Sequence, residues 1–368
     1  MVYLDYSATT PIDDEVLDSF IKASNYIGNP NSLHKLGLEA KELIDASTSQ
    51  IKDLLNLENE EVIYTSGASE ANNLAIKGIE LYKNRGNHII TTDLEHSSIY
   101  GPLNYLSDNG YDIDIVPLKN GVVDIEKLKE MITDKTILVS IGAVNSEIGV
   151  RQPIEEIGKV LKNYPKLFFH SDVTQAIGKI KIDLADVDMA SFSSQKFFGI
   201  KGVGGLIKKE KIKLVPLIHG GKSTTIYRSG TPATGLIAST AKALRLAYEN
   251  LDVDIENITK LNQKLRAGLK KYKNVYINSN NNSIPHILNI SILGVKPETM
   301  LHALEDDEIY VSTQSACSTG NISKAVMAVT NDSNRASSSI RISISRKTTE
   351  AEIDKFLISF DKCYKKLV

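Results

Sequence analysis

The chain has few cysteines and no long apolar segment. Among 368 residues only Cys317 and Cys363 are cysteines, and they lie far apart without metal-ligand spacing. This usage argues against a disulfide framework and suggests a reducing compartment. No segment approaches the ~18 consecutive apolar residues that span a membrane, and the N-terminus lacks a basic region followed by an apolar core. We therefore expect a soluble, cytoplasmic protein without metal or membrane partners.

An excess of charge of either sign is also missing. The formal net charge is −2, and lysine and arginine are dispersed along the chain. This pattern argues against a surface built mainly for nucleic acid. The length exceeds that of a usual single core, and the 42% of hydrophobic residues is enough to fill two. We expect two domains and no direct nucleic-acid binding.

Helical and strand periods alternate from residue 36 onward, which predicts an α/β fold with a mostly parallel sheet covered by helices. We place a large domain at 14–255 and a smaller α/β domain at 1–13 and 256–368. The polar segment NSNNNS is interpreted as a surface loop at 278–283. The predicted strands begin near residues 61, 88, 112, 136, 166, 188 and 203, with two more at 286–293 and 339–345.

Two short motifs place an amine and a carboxylate at the ends of predicted strands. Lys196 lies in SFSSQKFFGIKGVGG, and Asp172 lies upstream in HSDVTQ. Ligands bind at the strand-end edge of open α/β sheets. Pyridoxal phosphate needs an amine for its aldehyde and a carboxylate to keep its ring nitrogen protonated. The pair therefore indicates a pyridoxal phosphate site, although a lysine among Ser, Gln and Gly is by itself typical of a solvated loop.

A third motif, TSGASEANN, follows a predicted strand and opens a helix. Unpaired amides and the helix dipole at such a turn can receive a phosphate, and Gly67 would let the backbone approach closely. Ser69 followed by Glu70 is also compatible with an ordinary helix N-cap.

Several motifs in order make the chain resemble the cysteine desulfurases of the NifS/IscS type, fold type I pyridoxal phosphate enzymes of the class V aminotransferase family. The resemblance implies an aspartate-aminotransferase-like large domain with a mostly parallel seven-stranded sheet, a smaller α/β domain and a homodimer. The motifs are LDYSATTP, GNPNSLHKLG, YTSGASEANNLAIKG, HIITTDLEHSSI, ILVSIGAVNSEIGV, HSDVTQAIGK, SFSSQKFFGIKGVGG, YRSGTP, STQSACSTG and SSIRISISR.

The resemblance also implies roles for individual residues around the cofactor. Lys196 would hold it and move a proton, Asp172 would face the ring nitrogen, and His96 would stack on the ring and exchange protons with the substrate. The remaining cofactor contacts implied are Ala68, Ser69, Ser193, Ser194 and Gln195 near the phosphate, Asn145 and Gln175 beside the ring, and Thr231 on the phosphate of the other subunit. Arg341, with Asn145, would bind the substrate, its guanidinium gripping the amino-acid carboxylate.

One position departs from the family pattern. The residue before the family's lysine is usually histidine, and here it is Gln195. An amide can donate a hydrogen bond to phosphate but carries no charge, so a somewhat weaker grip on the cofactor is expected.

Cys317 would be the catalytic nucleophile. Its segment VSTQSACSTG is small and polar, which favours an accessible loop over the buried position that a free cysteine often takes. The thiolate is the reactive form. Gln314 stands where many relatives have Gly, which could restrict the loop. Cys363, in a C-terminal helical pattern, is interpreted as structural.

The function implied is a cysteine desulfurase that converts L-cysteine to L-alanine and keeps the sulfur as a persulfide on Cys317. Two alternatives stay open: a related pyridoxal phosphate enzyme such as a selenocysteine lyase, sulfinate lyase or aminotransferase, and a non-catalytic scaffold. For the sulfur acceptor, relatives that serve iron–sulfur scaffolds carry an extended C-terminal tail, and this chain stops at Val368. We therefore expect a tRNA sulfurtransferase in preference to an iron–sulfur scaffold.

Overall fold

The computed structural model describes residues 1–313 and 322–368, so Cys317 and Gln314 lie outside the described residues. The strands are β1 Val2–Tyr3, β2 Glu60–Thr65, β3 His88–Thr91, β4 Asp112–Ile115, β5 Leu118–Lys119, β6 Val122–Val123, β7 Thr136–Ser140, β8 Phe168–Asp172, β9 Met189–Ser193, β10 Gly204–Lys209, β11 Val275–Ile277, β12 Ile287–Ile292, β13 Ile309–Tyr310 and β14 Ser339–Ser343.

The helices alternate with these strands along most of the chain. They are α1 Asp14–Ser24, α2 Lys35–Leu54, α3 Ala68–Gly78, α4 Ser97–Asp108, α5 Ile125–Met131, α6 Ile154–Leu161, α7 Thr234–Glu249, α8 Leu251–Leu269, α9 Pro297–Glu305, α10 Lys324–Thr330, α11 Ser333–Ser337 and α12 Glu350–Leu367, with two 3₁₀ segments at Ile79–Arg85 and Ser194–Lys196.

A seven-stranded sheet in the order β2-β10-β9-β8-β7-β3-β4 forms the centre of the larger part. β10 runs antiparallel to both of its neighbours, and the other pairs are parallel. Every strand predicted for this sheet is present. The predicted α/β fold with a mostly parallel seven-stranded sheet is therefore confirmed.

Helices cover both faces of this sheet because its strands are apolar on both sides. Successive residues of one strand enter different cores, as Phe168 and Phe169 do in β8. Ile89 and Ile90 divide in the same way in β3. Since side chains alternate across a strand, this arrangement fixes the register and leaves the strand ends as the place for polar chemistry.

A second core lies in the smaller part. β11, β12 and β14 form an antiparallel sheet, and β1 of the N-terminal segment pairs with β13. Val2 and Leu4 pack there with residues of α8, α9 and α12. Cys363 is buried in α12, in keeping with a structural role. The predicted domain boundaries stay predictions, and α8 crosses the one at 255.

The segment 278–283 is only partly a surface loop. Asn281 and Asn282 are exposed, whereas Asn278 and Ser279 are buried. Asn278 Nδ2 donates to Asn289 Oδ1 at 2.6 Å and to Ser291 Oγ at 2.7 Å, while Arg335 donates to its Oδ1. The expectation of a solvated loop fails at Asn278 and Ser279 because β12 supplies partners that make polar burial possible.

Candidate active site

A cavity of about 310 Å³ opens where the parallel strands end. The loops after β2, β3, β7, β8 and β9 line it. Ser7 and Ala8 of the N-terminal segment and Arg341 of β14 complete the wall. This is the edge at which ligands bind in open α/β sheets. The predicted site residues on its wall are Ala68, Ser69, His96, Asn145, Asp172, Gln175, Ser193, Gln195, Lys196 and Arg341.

Two predicted cofactor contacts lie off this wall. Ser194 is fully buried, and a methyl group added at Gly199 would come within 1.8 Å of Ser194 Oγ, so the hydroxyl lies against that glycine. A direct contact from Ser194 to the phosphate is at odds with this position, because Gly199 and not the cavity faces its hydroxyl. Thr231 is exposed in the loop before α7, outside its own chain's cavity.

One end of the cavity offers backbone amides to an anion. Gly67, with φ of 151°, precedes α3 as its N-cap, and no side chain of the described residues caps it. The first amides of α3 and the Ser69 hydroxyl therefore face a position where the helix dipole favours negative charge. Ser193 Oγ lies 3.6 Å from where a Gly67 Cβ would stand. The alternative of Ser69 as an ordinary N-cap does not hold, because the cap position is Gly67.

Lys196 ends the 3₁₀ turn that follows β9. Its Nζ donates to the carbonyl oxygens of Ser7 at 2.8 Å and Ala8 at 2.5 Å. Asp172 ends the neighbouring strand β8, where its Oδ1 accepts from the Thr174 amide at 2.9 Å. The amine and the carboxylate thus both line one cavity, although their motifs are separate in sequence.

A polar chain joins Asp172 to His96. Asn72 Nδ2 donates to Asp172 Oδ2 at 2.8 Å and to Ser98 Oγ at 2.9 Å, and that hydroxyl lies 2.8 Å from His96 Nδ1. The Ser98 amide also donates to Nδ1, so a neutral His96 carries its proton on Nε2. Burial lowers the pKa of His96, which keeps the ring neutral at neutral pH.

The amides of Asn145 and Gln175 are held in fixed orientations. Asn145 Oδ1 accepts from the Glu147 and Ile148 amides at 2.9 Å, and its Nδ2 donates to Leu94 O at 2.8 Å. Gln175 Nε2 donates to Ser7 O at 2.9 Å. Since each Nδ2 or Nε2 has two protons, each amide keeps one N–H for a ligand.

Gln195 presents its amide nitrogen rather than its oxygen to the cavity. Thr9 Oγ1 donates to Gln195 Oε1 at 3.1 Å, which occupies the accepting end. Nε2 is then the group available to an anion.

Arg341 is buried on the wall of the cavity. Its Nη2 donates to Asp5 Oδ1 at 2.6 Å, and its Nη1 donates to Ser146 O at 3.0 Å. The Nε proton is buried and has no hydrogen-bond partner within residues 1–313 and 322–368. A buried, unsatisfied donor on a cavity wall suits a ligand carboxylate.

Glu95 is a site residue that the sequence reasoning missed. Both of its carboxylate oxygens accept from the Gly142 amide at 3.0 Å, and Thr92 Oγ1 donates to Oε1 at 2.7 Å. Burial, with a contribution from the Asp172 charge, raises the pKa of Glu95 to about 7. Its position immediately before His96 was the available signal.

Residues 2–356 match the family model described as Aminotransferase class-V. The chain belongs to the class-V aminotransferase family.

Relatives within this family narrow the comparison. A cysteine desulfurase IscS of Buchnera aphidicola subsp. Baizongia pistaciae (strain Bp) is 41% identical over 366 residues, covering 96% of this chain and 90% of the relative. A solved NifS-like protein covers 100% of both chains at a TM-score of 0.94 and 35% identity. SspA, solved in complex with cysteine, covers 95% of this chain and 100% of its own at a TM-score of 0.81 and 30% identity. The resemblance to NifS/IscS-type enzymes is confirmed.

Enzymes of the class-V aminotransferase family that act as cysteine desulfurases use pyridoxal phosphate, and the cofactor prediction is confirmed. The cavity fits this group on its own chemistry. Uncapped amides at α3 suit the phosphate, Asp172 suits a protonated ring nitrogen, and Lys196 supplies the amine.

Proposed function

We propose that this chain is a pyridoxal phosphate-dependent cysteine desulfurase that forms L-alanine and holds sulfur on Cys317. The observation that carries the proposal is a single cavity containing Lys196, Asp172 and Arg341, in a chain about 40% identical to cysteine desulfurases. The cavity thus combines groups for the cofactor with a buried guanidinium for an amino-acid carboxylate.

Each residue of the cavity has a role that follows from its position. Bound pyridoxal phosphate supplies an electron sink for negative charge that develops at the substrate Cα. Asp172 keeps a proton on the ring nitrogen, and Arg341 orients the substrate through its carboxylate. Lys196 Nζ moves the Cα proton as the general base. Neutral His96, with its proton on Nε2, is suited to exchange a proton with the substrate.

Cys317 completes the reaction in this proposal. Its thiolate attacks the substrate sulfur, an S–S bond forms, and the Cβ–S bond breaks with its electron pair left on the carbon skeleton. Protonation of that carbon gives alanine. One cysteine and one enzyme thiol thus yield one alanine and one enzyme persulfide, with no further oxidant or reductant consumed.

The test uses L-cysteine labelled at sulfur and the purified, cofactor-loaded protein. Alanine is quantified in a single turnover, and the peptide that carries reductant-labile label is mapped. We expect one alanine per labelled Cys317, cofactor binding without persulfide in Cys317→Ala, and both products in the control Cys363→Ala. Cys363 is buried and is the other cysteine of the chain.

Other outcomes would contradict the proposal. Alanine release at the wild-type rate from Cys317→Ala would indicate a related lyase without persulfide chemistry. Loss of cofactor from that variant would remove Cys317 from its assigned role. A protein that binds the cofactor but releases no alanine would be a scaffold.

A homodimer is part of the proposal, with Thr231 of each subunit reaching the phosphate held by the other. The exposed position of Thr231, away from its own cavity, supports this role. Mixing Thr231→Ala with Lys196→Ala subunits tests it, because one site of the mixed dimer would carry both changes and the other neither. We expect the mixture to recover activity that the two separate variants lack. A mixture that stays as inactive as the separate variants would contradict a shared site.

The acceptor and the location complete the proposal. The persulfide passes to a sulfur-acceptor protein in the cytoplasm, and we infer a tRNA sulfurtransferase as this acceptor, with an iron–sulfur scaffold as the alternative. Labelled sulfur offered to both acceptors in one assay decides between them. Preferential labelling of the scaffold would overturn the first choice.

No helix in the described part of the chain has the length and apolar character needed to cross a membrane.

A further inference from the structure

A second lysine lies next to the cavity without lining it. Lys179 is 8% exposed and forms no salt bridge with an acidic group of the described residues. Its Nζ donates to Gln175 Oε1, four residues earlier in the chain, at 2.5 Å. Burial lowers the pKa of Lys179, with the neighbouring Lys196 and Arg341 acting in the same direction. Burying an amine without an acidic partner is costly, so its retention calls for a reason.

The fold enforces this placement. Gly178, with φ of 69°, precedes the lysine, and a Cβ there would stand 2.9 Å from the Phe197 Cβ and 3.0 Å from the Ala247 Cβ. The close approach of the 174–180 turn to Phe197 carries Lys179 beneath the turn that ends in Lys196. Both lysines consequently border the same small space, which Gly178 and His286 also line.

The hydrogen bonds define the direction of the Gln175 amide. An amine nitrogen donates to Oε1, so Oε1 turns toward Lys179, and Nε2 turns toward Ser7 O at 2.9 Å. The same carbonyl accepts from Lys196 Nζ at 2.8 Å. Rotating the amide by 180° would bring Gln175 Nε2 against the Lys179 amine. It would also bring Gln175 Oε1 against the Ser7 carbonyl oxygen, and two acceptors cannot bond. Lys179 and the Ser7 carbonyl together therefore hold the amide in this orientation, which leaves an Nε2 N–H for the cavity.

We propose that Lys179 is a positioning residue that fixes the Gln175 amide so that its free N–H faces the cofactor. The inference rests on the proposed function, in which Gln175 is a ring-side donor. A freely rotating amide would also present its oxygen to the electron-rich oxygen of the cofactor ring. Fixing the amide excludes the repulsive orientation. It also removes the entropy cost of selecting one of the two amide orientations when the cofactor binds.

The test is a double-mutant cycle in the full chain with Lys179→Met, Gln175→Met and the double variant. Equilibrium dialysis measures the dissociation constant of pyridoxal phosphate, and titration measures the pH midpoint of the bound cofactor's visible absorbance. We expect each single variant to bind the cofactor roughly tenfold more weakly. The double variant should match Gln175→Met in both readouts, since Lys179 acts through that amide.

Lys208→Met is the matched control. Lys208 is also fully buried, but it pairs with Glu61 and donates to Ile212 O at 2.7 Å, away from the cavity. Its loss should lower the melting temperature and leave both cofactor readouts unchanged. If Lys179→Met does not fold, Lys179→Gln keeps a polar head in the buried position and enters the same cycle.

The outcomes separate this inference from the proposed function. Additive losses in the double variant, or unchanged readouts in Lys179→Met, would overturn the inference while wild-type desulfurase activity stands. Wild-type protein that fails to bind pyridoxal phosphate would overturn both.

Discussion

Asn72 Nδ2 donates to Asp172 Oδ2 across 2.8 Å, and this contact links the two ends of the cofactor cavity. Asn72 lies on α3, whose uncapped first turn holds Ala68 and Ser69, the predicted phosphate contacts. One helix therefore supplies the uncapped amides at one end of the cavity and orients the Asp172 carboxylate, which we propose faces the ring nitrogen of the cofactor. Because Asp172 Oδ1 is taken by the Thr174 amide, the direction of its free lone pairs depends on Asn72.

Replacing Asn72 with Ala should loosen this carboxylate and its contact to Ser98. Asn72 is fully buried, so its loss removes two hydrogen bonds and leaves a small void. We expect about 1–3 kcal/mol less stability of the cofactor-free protein and roughly tenfold weaker pyridoxal phosphate binding, by denaturant unfolding and dialysis. The control Asn73→Ala should change cofactor binding little; an equal effect at Asn73 would contradict a specific role for Asn72.

Glu95 should make the stability of the cofactor-free protein depend on pH. Because burial raises its pKa from 4.5 to about 7, the folded state holds a proton that the unfolded chain releases. Stability is then greatest below about pH 4.5 and falls as the pH rises to about 7. The unfolding free energy of Glu95→Gln minus that of wild type should grow from pH 4.5 to 8 by on the order of 3 kcal/mol. A constant difference across that range would contradict the shift.

Gln195→His should bind the cofactor at least as tightly as the wild type. Gln195 Nε2 is the donor left toward the phosphate end after Thr9 occupies Oε1. A neutral imidazole can accept from Thr9 with one nitrogen and donate to phosphate with the other. A protonated imidazole gives up the hydrogen bond from Thr9 but adds a positive charge beside the phosphate. Dialysis against pyridoxal phosphate measures the effect, with Gln195→Ala as the weaker-binding reference. Markedly weaker binding by the His variant would mean that the pocket has adapted to the amide.

The sequence predicted the fold well because the strands are strongly apolar and their ends carry polar motifs. β8 and β9 end at Asp172 and Ser193, and this placement follows from strand length alone. The resemblance then assigned the site residues, but the side chains that hold them in place could not be predicted from the sequence. Examples are Asn72, Glu95 and Lys179, whose partners lie 100, 47 and 4 positions away.

What the sequence could not show has physical causes of the same kind. The alternating pattern of β14 does not reveal that Arg341 is buried; its burial follows when β14 pairs with β12 and the guanidinium contacts Asp5 from the N-terminal segment. Asn278 reads as loop until Asn289 supplies a partner. Pairings between distant segments decide both burial and charge compensation, and periodicity carries no information about them.

Arg341→Lys should separate substrate binding from cofactor binding. A lysine keeps the charge but loses the planar fork, so it cannot hold Asp5 and Ser146 O while also gripping a carboxylate. We expect the KM for L-cysteine to rise by roughly tenfold or more, with an unchanged dissociation constant for pyridoxal phosphate. Steady-state alanine release and dialysis give the two values. The control is Arg151→Lys: Arg151 pairs with Glu155 at 2.7 Å, four residues further along the chain, and its replacement should leave both constants unchanged. An unaltered KM in Arg341→Lys would contradict the assignment of Arg341 to the substrate carboxylate. A lysine ammonium at that buried position could not make all of the hydrogen bonds of the guanidinium, so substrate binding should weaken if Arg341 takes part in it.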